Sequence, residues 1–346
     1  MPEPILSIKD LVVEFRTEDG VVHAVDGISY DVFPGETLGI VGESGSGKSV
    51  STMSILGLIP QPPGRVVSGS AMFKGHDLLK MKKRELRRFR GDELAMVFQD
   101  PMTSLNPVLK VGHQLAEMIQ THYPKESDEK VRTRVIDLMR MVGIPNPEQR
   151  YYQYPYEFSG GMRQRAMIAM SIANSPSLLI ADEPTTALDV TIQAQVLEVL
   201  KTVQAETDAA TILITHDLGI VAELCERVLV MYAGRIVEQG DVHTIFRNPR
   251  HPYTIGLMDS LPRLTEDEEW LRPIPGQPPS LINRPSGCAF HPRCFLSQGR
   301  LPCREEVPPL RVVDGDPTHG SACHFAEELA GRHSKFADPV AAGDGA

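Results

Sequence analysis

The sequence is poor in the features that would give a disulfide framework or a membrane span. It has one Trp in 346 residues, an odd number of Cys, five, and no basic start followed by an apolar stretch. Five thiols cannot all pair and no export signal is visible, so structural disulfides are not expected. The uncharged stretch 166–181 is broken by Asn174-Ser175-Pro176 and falls short of the roughly 20 residues that a spanning helix needs. The sequence therefore predicts a chain that does not cross a membrane by itself.

An excess of positive charge is also absent. The 35 Lys and Arg are outnumbered by 45 Asp and Glu, which gives a net charge of -10 and a pI of about 5.6. No overall electrostatic attraction to nucleic acid exists, so nucleic acid is not expected as a partner. With 41% hydrophobic and 23% charged residues, the composition is that of an ordinary soluble protein, long enough for two domains.

Short apolar strands alternate with helical stretches from Ile5 to about Gly240. This pattern predicts an α/β core of buried parallel strands, with a mostly helical insert at about 104–172. Half of the 28 Pro lie in 249–339, a segment that we expect to need a staple because it has few apolar runs. The predicted division is a core at 1–247, a Pro-rich domain at 248–330 and a disordered tail at 331–346. The expected parallel strands are Thr37–Val41, Leu94–Phe98, Leu178–Ala181, Thr211–Ile214 and Val228–Met231.

A phosphate-binding loop follows the first of these strands. Residues 42–49, GESGSGKS, fit the G-x-x-x-x-G-K-[ST] pattern between a strand and a helix. Glycines let backbone N–H groups converge on phosphate oxygens, and the helix beginning near Lys48 directs its positive end at the same anion. Lys48 is expected to neutralise phosphate charge, and the Ser49 hydroxyl to bind Mg²⁺. The expected ATP-binding residues of the loop are Gly42, Ser44, Gly45, Gly47, Lys48 and Ser49.

Two carboxylates close a later strand. In Leu178–Glu183, Asp182 is placed to hold Mg²⁺ and Glu183 to polarise the attacking water as a general base. An Asp-Glu pair after a strand is often only the start of a solvated loop, and the upstream phosphate loop favours the functional interpretation. Gln99 closes the strand before the helical insert, and its amide oxygen is a further candidate Mg²⁺ ligand.

The run Phe158-Ser159-Gly160-Gly161-Met162-Arg163-Gln164-Arg165 lies between these two motifs. The order of the three elements resembles the ATP-binding cassette (ABC) family. That resemblance implies a P-loop ATPase fold in which Ser159, Gly160 and Gly161 of one subunit contact the γ-phosphate of ATP bound to another. Independently of the family, Ser159 is also placed to cap a helix. The usual first and fifth signature positions, Leu and Gln, are here Phe158 and Met162.

The resemblance also assigns roles outside these motifs. His216, at the end of the strand Thr211–Thr215, is similar to the family's switch histidine and would sense the γ-phosphate. Asp189, in Ala187-Leu188-Asp189, resembles the loop that crosses the subunit interface. Phe15 occupies the place of the aromatic residue that stacks on adenine, although it is equally interpretable as a core residue of the predicted strand Leu11–Phe15.

Further matches indicate the branch. Residues 158–165, 170–189 and His251-Pro252-Tyr253-Thr254 resemble the ATPase subunits of bacterial oligopeptide and dipeptide importers. Such a subunit would hydrolyse ATP on the cytoplasmic face of the inner membrane. Its partners would be a second, homologous ATPase, two membrane permeases received around Met102–Val111, and an external peptide-binding protein. Alternatives are an importer of nickel or another small solute, and a soluble ABC ATPase outside transport.

Four of the five Cys crowd into 288–323. Four thiolates are the donor set of a [4Fe-4S] cluster or of structural zinc. Close C-x2-4-C pairs, which zinc prefers, are missing, and the family resemblance favours iron–sulfur; zinc stays open as the alternative. The predicted fold is thus an ABC-type P-loop core with a helical insert and a small Pro-rich domain stapled by a metal cluster. The expected ligands are Cys288, Cys294, Cys303 and Cys323.

Overall fold

An eight-stranded, mostly parallel sheet forms the centre of the fold. The computed structural model describes residues 3–100, 104–186, 189–260 and 273–331. Within them the sheet order is β11-β12-β10-β9-β3-β8-β7-β6, and the run from β9 to β6 is parallel throughout. The strands of this sheet are β3 (Thr37–Val41), β6 (Leu94–Val97), β7 (Leu178–Asp182), β8 (Ala210–Ile214), β9 (Arg227–Tyr232), β10 (Arg235–Asp241), β11 (Arg311–Val313) and β12 (Asp316–Ser321).

A second, antiparallel sheet of order β2-β1-β4-β5 is built from the N-terminal part of the chain. The sequence patterns indicated only a strand near Leu11–Phe15 there. The alternation along β1 is interrupted by register shifts in its pairing with both neighbours, which weakens the period-2 signal. The strands are β1 (Leu6–Thr17), β2 (Gly20–Val32), β4 (Gly64–Phe73) and β5 (His76–Asp77).

Eleven α-helices are described. Four of them lie in the segment for which the sequence predicted a helical insert, which is confirmed as mostly helical. The helices are α1 (Lys48–Ile55), α2 (Lys83–Phe89), α3 (Val111–His122), α4 (Asp128–Met141), α5 (Pro147–Arg150), α6 (Gly160–Ser171), α7 (Val190–Thr207), α8 (Leu218–Leu224), α9 (Val242–Arg247), α10 (Pro252–Asp259) and α11 (Leu301–Glu305).

The two faces of the parallel sheet pack into separate hydrophobic clusters. Successive side chains of a strand point to opposite faces. Accordingly, Leu179 and Ala181 of β7 pack with the helices of the insert, whereas Leu178 and Ile180 pack with the antiparallel sheet. All five residues of β3, β7 and β8 are buried, which explains their continuous apolar runs and confirms the predicted parallel strands.

The C-terminal region, which the structure describes over residues 248–260 and 273–331, joins the main sheet. Strand β12 pairs with β10, where Glu238 lies opposite Ser321, and β11 adds to its outer edge. Buried Glu238 accepts hydrogen bonds from the backbone N–H of Arg250 (2.5 Å) and His251 (3.0 Å) and lies 2.9 Å from the Nε2 atom of His319. The region is thus held by strand pairing and buried polar contacts to the core.

Three expectations fall wholly or partly outside the described residues. They are the tail, of which only residue 331 is described, the predicted permease contact at 102–111, of which 102 and 103 are excluded, and the interface loop, of which 187 and 188 are excluded. Among the residues that the structure describes, no helix is long and apolar enough to cross a membrane.

Candidate nucleotide-binding site

The parallel strands bring the predicted motifs to one edge of the sheet. In parallel strands the carboxyl ends meet at the same edge, where open α/β sheets bind their ligands. The phosphate loop follows β3, His216 follows β8, Asp182 ends β7, and Gln99 follows β6. These four strands are consecutive neighbours in the order β3-β8-β7-β6. Motifs that are up to 174 residues apart in the chain therefore lie side by side, as 216 minus 42 gives.

The phosphate loop depends on its glycines. Gly42 and Gly47 have φ of 151° and 100°, a region that other residues rarely adopt. A Cβ at Gly42 would collide with the carbonyl oxygen of Met231, and one at Gly47 with that of Ala24. At Gly45, φ is 77° and a Cβ would meet no atom within 4 Å. The loop is therefore packed tightly on one side and open at Gly45.

Lys48 is buried in this loop, with 5% of its surface exposed. Its Nζ donates to the carbonyl oxygens of Gly42 (2.7 Å) and Glu43 (3.0 Å). Burial lowers the pKa of the Lys48 ammonium, and the carboxylates of Glu183 and Asp182 act in the opposite direction. The ammonium is thus held near the loop backbone, where an incoming phosphate would compete for it.

Ser49 and Asp182 form the expected oxygen pair. The Ser49 hydroxyl donates to Oδ1 of Asp182 at 2.8 Å. Asp182 is 6% exposed, and burial raises the pKa of its carboxyl while the Ser49 hydrogen bond opposes this shift. A buried carboxylate without a bound cation is costly, so this pair is suited to a divalent ion with oxygen ligands.

Glu183 lies at the centre of a set of polar side chains. Its Oε2 accepts from Nε2 of Gln99 (2.8 Å) and from the hydroxyl of Thr186 (2.9 Å), and its Oε1 lies 3.6 Å from Nδ1 of His216. The backbone of Glu183 has φ of 46°, a conformation that costs roughly 1–3 kcal/mol for a non-glycine residue. Its N–H donates to the carbonyl oxygen of Ile214 at 2.8 Å, which ties this strained residue to β8.

Sequence reasoning missed two members of this group. Thr186 fixes one oxygen of Glu183, and buried Gln164 donates to the carbonyl oxygen of Pro184 at 2.5 Å. The second contact joins α6 to the turn after β7. The only available signal for Thr186 was its position three residues after Glu183, and a Thr in a turn is too common to be informative.

The Ser-Gly-Gly turn begins α6 with two residues on the surface, whereas its third residue, Gly161, is buried against Ile192. Ser159 accepts from the backbone N–H of Met162 at 3.3 Å, so the capping role is present. Ser159 and Gly160 are exposed, and a Cβ at Gly160 would meet no atom within 4 Å. Phe158, the departure from the usual signature, is 3% exposed and packs in the core, consistent with a packing effect only.

The two remaining predicted site residues, Asp189 and Phe15, make their contacts with other parts of the molecule. Asp189 is exposed and caps α7 by accepting from the N–H of Ile192 at 3.0 Å. Phe15 is half-buried on β1 and packs against the cluster beneath the antiparallel sheet. Their roles at an interface and at adenine stay predictions.

The expected four-cysteine metal cluster is not found. No group of three or more His, Cys, Asp or Glu side chains in the described part of the chain is placed to hold a metal ion. Burial raises the pKa of the Cys288 thiol to about 11 and that of Cys323 to about 12, and neighbouring thiols add to both shifts. Neutral buried thiols pack as small apolar groups. Cys323 accordingly belongs to an apolar cluster with Leu296 and Leu329.

The staple argument also needs correction. The C-terminal region was expected to require a metal because it lacks apolar runs. Instead it uses the core: its strand β12 extends the main sheet, and Phe290 belongs to the main hydrophobic cluster. Arg284 also pairs with Asp26 of the antiparallel sheet at 2.5 Å. Composition within a segment does not reveal packing against residues that are distant in the chain.

Comparisons with known families and structures identify the family and the fold. Residues 25–186 match the ABC transporter family, and residues 237–300 match the oligopeptide/dipeptide transporter C-terminal region. The bacterial ABC transporter cassette MJ0796, solved as a dimer, is 25% identical with a TM-score of 0.61. The match covers 68% of this chain and 98% of the MJ0796 chain. CbiO1 of Clostridium perfringens, part of the cbiONQ ABC transporter complex, is 28% identical with a TM-score of 0.59, covering 70% of this chain and 91% of its own.

Relatives are similar along nearly the whole sequence. The oligopeptide transport ATP-binding protein OppD of Bacillus subtilis is 52% identical over 90% of this chain and 86% of its own. The dipeptide transport ATP-binding protein DppD of Escherichia coli is 50% identical over 95% of this chain and 98% of its own. With the phosphate loop, the carboxylate pair and the Ser-Gly-Gly turn in one chain, these matches lead to one conclusion: the chain belongs to the ABC transporter family, among the oligopeptide and dipeptide transport ATP-binding proteins.

Proposed function

We propose that this chain is the ATP-hydrolysing subunit of an ABC importer that takes up oligopeptides or dipeptides. One observation carries the proposal. The Glu183 carboxylate is oriented by Gln99 and Thr186, beside the Ser49–Asp182 pair and the phosphate loop. This is the arrangement that a general base for water needs, next to groups suited to a phosphate and a divalent cation. The names of the relatives supply the peptide substrate.

The residues at the strand edge fit Mg²⁺ and ATP. Ser49 and Asp182 offer the hard oxygen donors that Mg²⁺ prefers, and Gln99, which donates through its amide nitrogen to Glu183, has an amide oxygen left to offer. When bound, Mg²⁺ neutralises charge on the phosphates and favours the departure of the leaving group. Lys48 and the loop N–H groups bind the phosphate chain, and Phe15 contributes the stacking surface for the base.

Hydrolysis then depends on Glu183. Its carboxylate accepts a proton from the water that attacks the γ-phosphate, while Gln99 and Thr186 keep the accepting oxygens in place. His216, with 64% of its side chain exposed, is free to contact the γ-phosphate from the solvent side.

A second ATPase subunit completes the site. Ser159, Gly160 and Gly161 bind the γ-phosphate of ATP held by that subunit, because the free N–H groups at a helix start attract an anion. The open space at Gly160 and the dimeric state of the related MJ0796 cassette support this arrangement, with Asp189 at the interface. The partner is a homologous, non-identical subunit. Two permeases and an external peptide-binding protein complete the importer, with this chain on the cytoplasmic face of the inner membrane.

The proposal is tested in the assembled complex. Peptide uptake into proteoliposomes that contain the permeases and both ATPases should require ATP and should stop when Lys48 is replaced by Ala. Ser159→Ala should reduce ATP turnover of the complex by at least tenfold. Full-speed ATP hydrolysis by the isolated single chain, unchanged by Ser159→Ala, would contradict the two-subunit mechanism. Uptake of nickel instead of peptide would contradict the proposed substrate and leave the proposed ATPase role unchanged.

We also keep two finer predictions as proposals. The first is a [4Fe-4S] cluster on Cys288, Cys294, Cys303 and Cys323, supported by four free thiols within 36 residues of the chain, 288–323. Anaerobic purification followed by iron, sulfide and zinc analysis tests it, and a colourless protein without iron or zinc would contradict it. The second is the domain boundary between residues 247 and 248. Limited proteolysis would locate it.

A further inference from the structure

Glu43 of the phosphate loop is contacted by residues of the C-terminal half of the chain. Its carboxylate accepts two hydrogen bonds from Arg293, from Nη1 to Oε2 at 2.6 Å and from Nη2 to Oε1 at 2.9 Å. Its backbone N–H donates to the hydroxyl of Tyr253 at 2.7 Å. Its carbonyl oxygen accepts from Lys48. One loop residue therefore links the ATP-binding lysine to side chains 210 and 250 positions later in the chain.

Arg293 is itself held firmly. Its side chain is 5% exposed, and its Nε donates to the carbonyl oxygen of Pro275 at 2.9 Å. The guanidinium lies 5.9 Å from the ring centres of both Tyr232 and Phe290, within cation–π distance. A guanidinium placed this way has little freedom, so its fork fixes the position of the Glu43 carboxylate.

The charge of Glu43 makes this contact relevant to ATP. An unpaired carboxylate in the phosphate loop would repel the triphosphate and attract the Lys48 ammonium away from it. Both Nη atoms of Arg293 donate to the Glu43 carboxylate, and a guanidinium is effectively always charged in a protein. The Arg293–Glu43 pair therefore has no net charge, and the positive charge of Lys48 is left to attract the phosphates.

We propose that Arg293 and Tyr253 are positioning residues that hold Glu43 and thereby set the affinity of the phosphate loop for ATP. The proposal rests on the proposed function and adds that the C-terminal region tunes this step. Neither residue touches the reacting atoms, so the rate of hydrolysis from the bound state should depend on them far less than ATP binding does.

A charge cycle tests this role. The full-length protein is titrated with Mg²⁺ and the nonhydrolysable analogue AMP-PNP by calorimetry. Arg293→Gln leaves the Glu43 carboxylate unpaired, so the Kd should rise about tenfold. Glu43→Gln leaves the guanidinium unpaired, so the Kd should fall a few-fold. The double variant should return to within about threefold of the wild type, and high salt should shrink all three differences.

Tyr253→Phe removes only the hydroxyl that accepts the Glu43 N–H. Its Kd should rise about twofold to fivefold, with kcat in the assembled complex within twofold of the wild type. The matched control is Arg311→Gln, which removes another arginine of the C-terminal region that binds a carboxylate, Glu327, with both Nη atoms (2.5 and 2.8 Å). It should leave the Kd unchanged.

The outcomes separate the two proposals. A wild type that does not bind AMP-PNP would contradict the ATPase function itself. A wild type that binds, with Arg293→Gln binding equally well or the double variant no better than the single, would overturn the positioning role. If Arg293→Gln does not fold, Glu43→Gln decides, because it keeps the Arg293 contact to Pro275; a Kd that does not fall would then overturn the proposal.

Discussion

Two regions contact the phosphate loop in different ways. At the strand edge the contacts come from motifs that each span a few residues, such as Asp182-Glu183. In the C-terminal region they come from isolated residues of different segments, Tyr253 and Arg293, which meet at Glu43. The edge is built for chemistry on a phosphate, whereas the C-terminal region is built from buried ion pairs and hydrogen bonds. Changes in the first region should therefore alter turnover, and changes in the second should alter stability or affinity.

The largest effect should come from the strand edge. Glu183→Gln removes the proton acceptor but keeps the hydrogen-bonding shape, so kcat for ATP should fall by about 10²- to 10⁴-fold. AMP-PNP affinity should change by less than about threefold. Phosphate release by the assembled complex measures this, with Glu223→Gln, in a surface pair with Lys201, as control. Unchanged turnover would remove Glu183 from its proposed role.

The next effect belongs to the C-terminal region. Glu238→Ala leaves the buried N–H groups of Arg250 and His251 without their acceptor, so the free energy of unfolding should fall by about 2–5 kcal/mol. Urea unfolding measures it. Glu328→Ala, which breaks an exposed ion pair with Arg300, should cost no more than about 1 kcal/mol. Equal losses in the two variants would contradict the description of this region as held by buried contacts.

A pH dependence distinguishes the C-terminal region further. Burial lowers the pKa of His251 to about 3, against 6.5 for an ordinary histidine. Between these values the unfolded chain binds a proton that the folded chain excludes. This histidine therefore lowers the free energy of unfolding by up to about 1.4 kcal/mol for each pH unit below about 6. His251→Asn, whose amide oxygen can replace Nδ1 as acceptor for the Tyr253 N–H, should flatten this dependence. His243→Asn, an exposed control, should leave it as in the wild type.

The smallest effect returns to the strand edge. Thr186→Val removes one hydrogen bond to Glu183 without changing the shape of the side chain. A bond of this kind contributes about 0.5–1.5 kcal/mol, which corresponds to a two- to tenfold lower kcat. Thr202→Val, on the exposed face of α7, should not change kcat. A loss of stability in Thr186→Val without any loss of kcat would show that this residue only supports the fold.

The sequence predicted the strand edge well for a physical reason. Each functional group there lies at or just after the end of a buried strand. The carboxyl ends of neighbouring parallel strands lie at the same edge of the sheet. The phosphate loop, Asp182-Glu183 and Gln99 could therefore be selected as candidates from their strand ends, without any knowledge of long-range contacts. The structure confirms the parallel strands and the helical insert, and it adds Thr186, whose residue type alone gives no signal.

Contacts that join distant segments could not be predicted from the sequence. The four Cys suggested a metal staple, but the described residues place no metal-binding group there, and the C-terminal region is held by β12, Arg284 and Arg293. An Arg or Glu in a Pro-rich segment gives no indication of its partner. The register shifts of β1 likewise concealed the antiparallel sheet from a search for strict alternation.

The pairing of β12 with β10 has a consequence for engineering. Transplanting the C-terminal region between relatives would not exchange an independent module, since the graft must supply a strand that pairs with β10 in register with Glu238 and Gln239. A chimera joined in the loop before β12 would fold only if the new strand paired at two positions, opposite Glu238 and opposite Gln239. A chimera of this kind would therefore have to preserve the register of β12 with β10 before any other property of the grafted region could be tested.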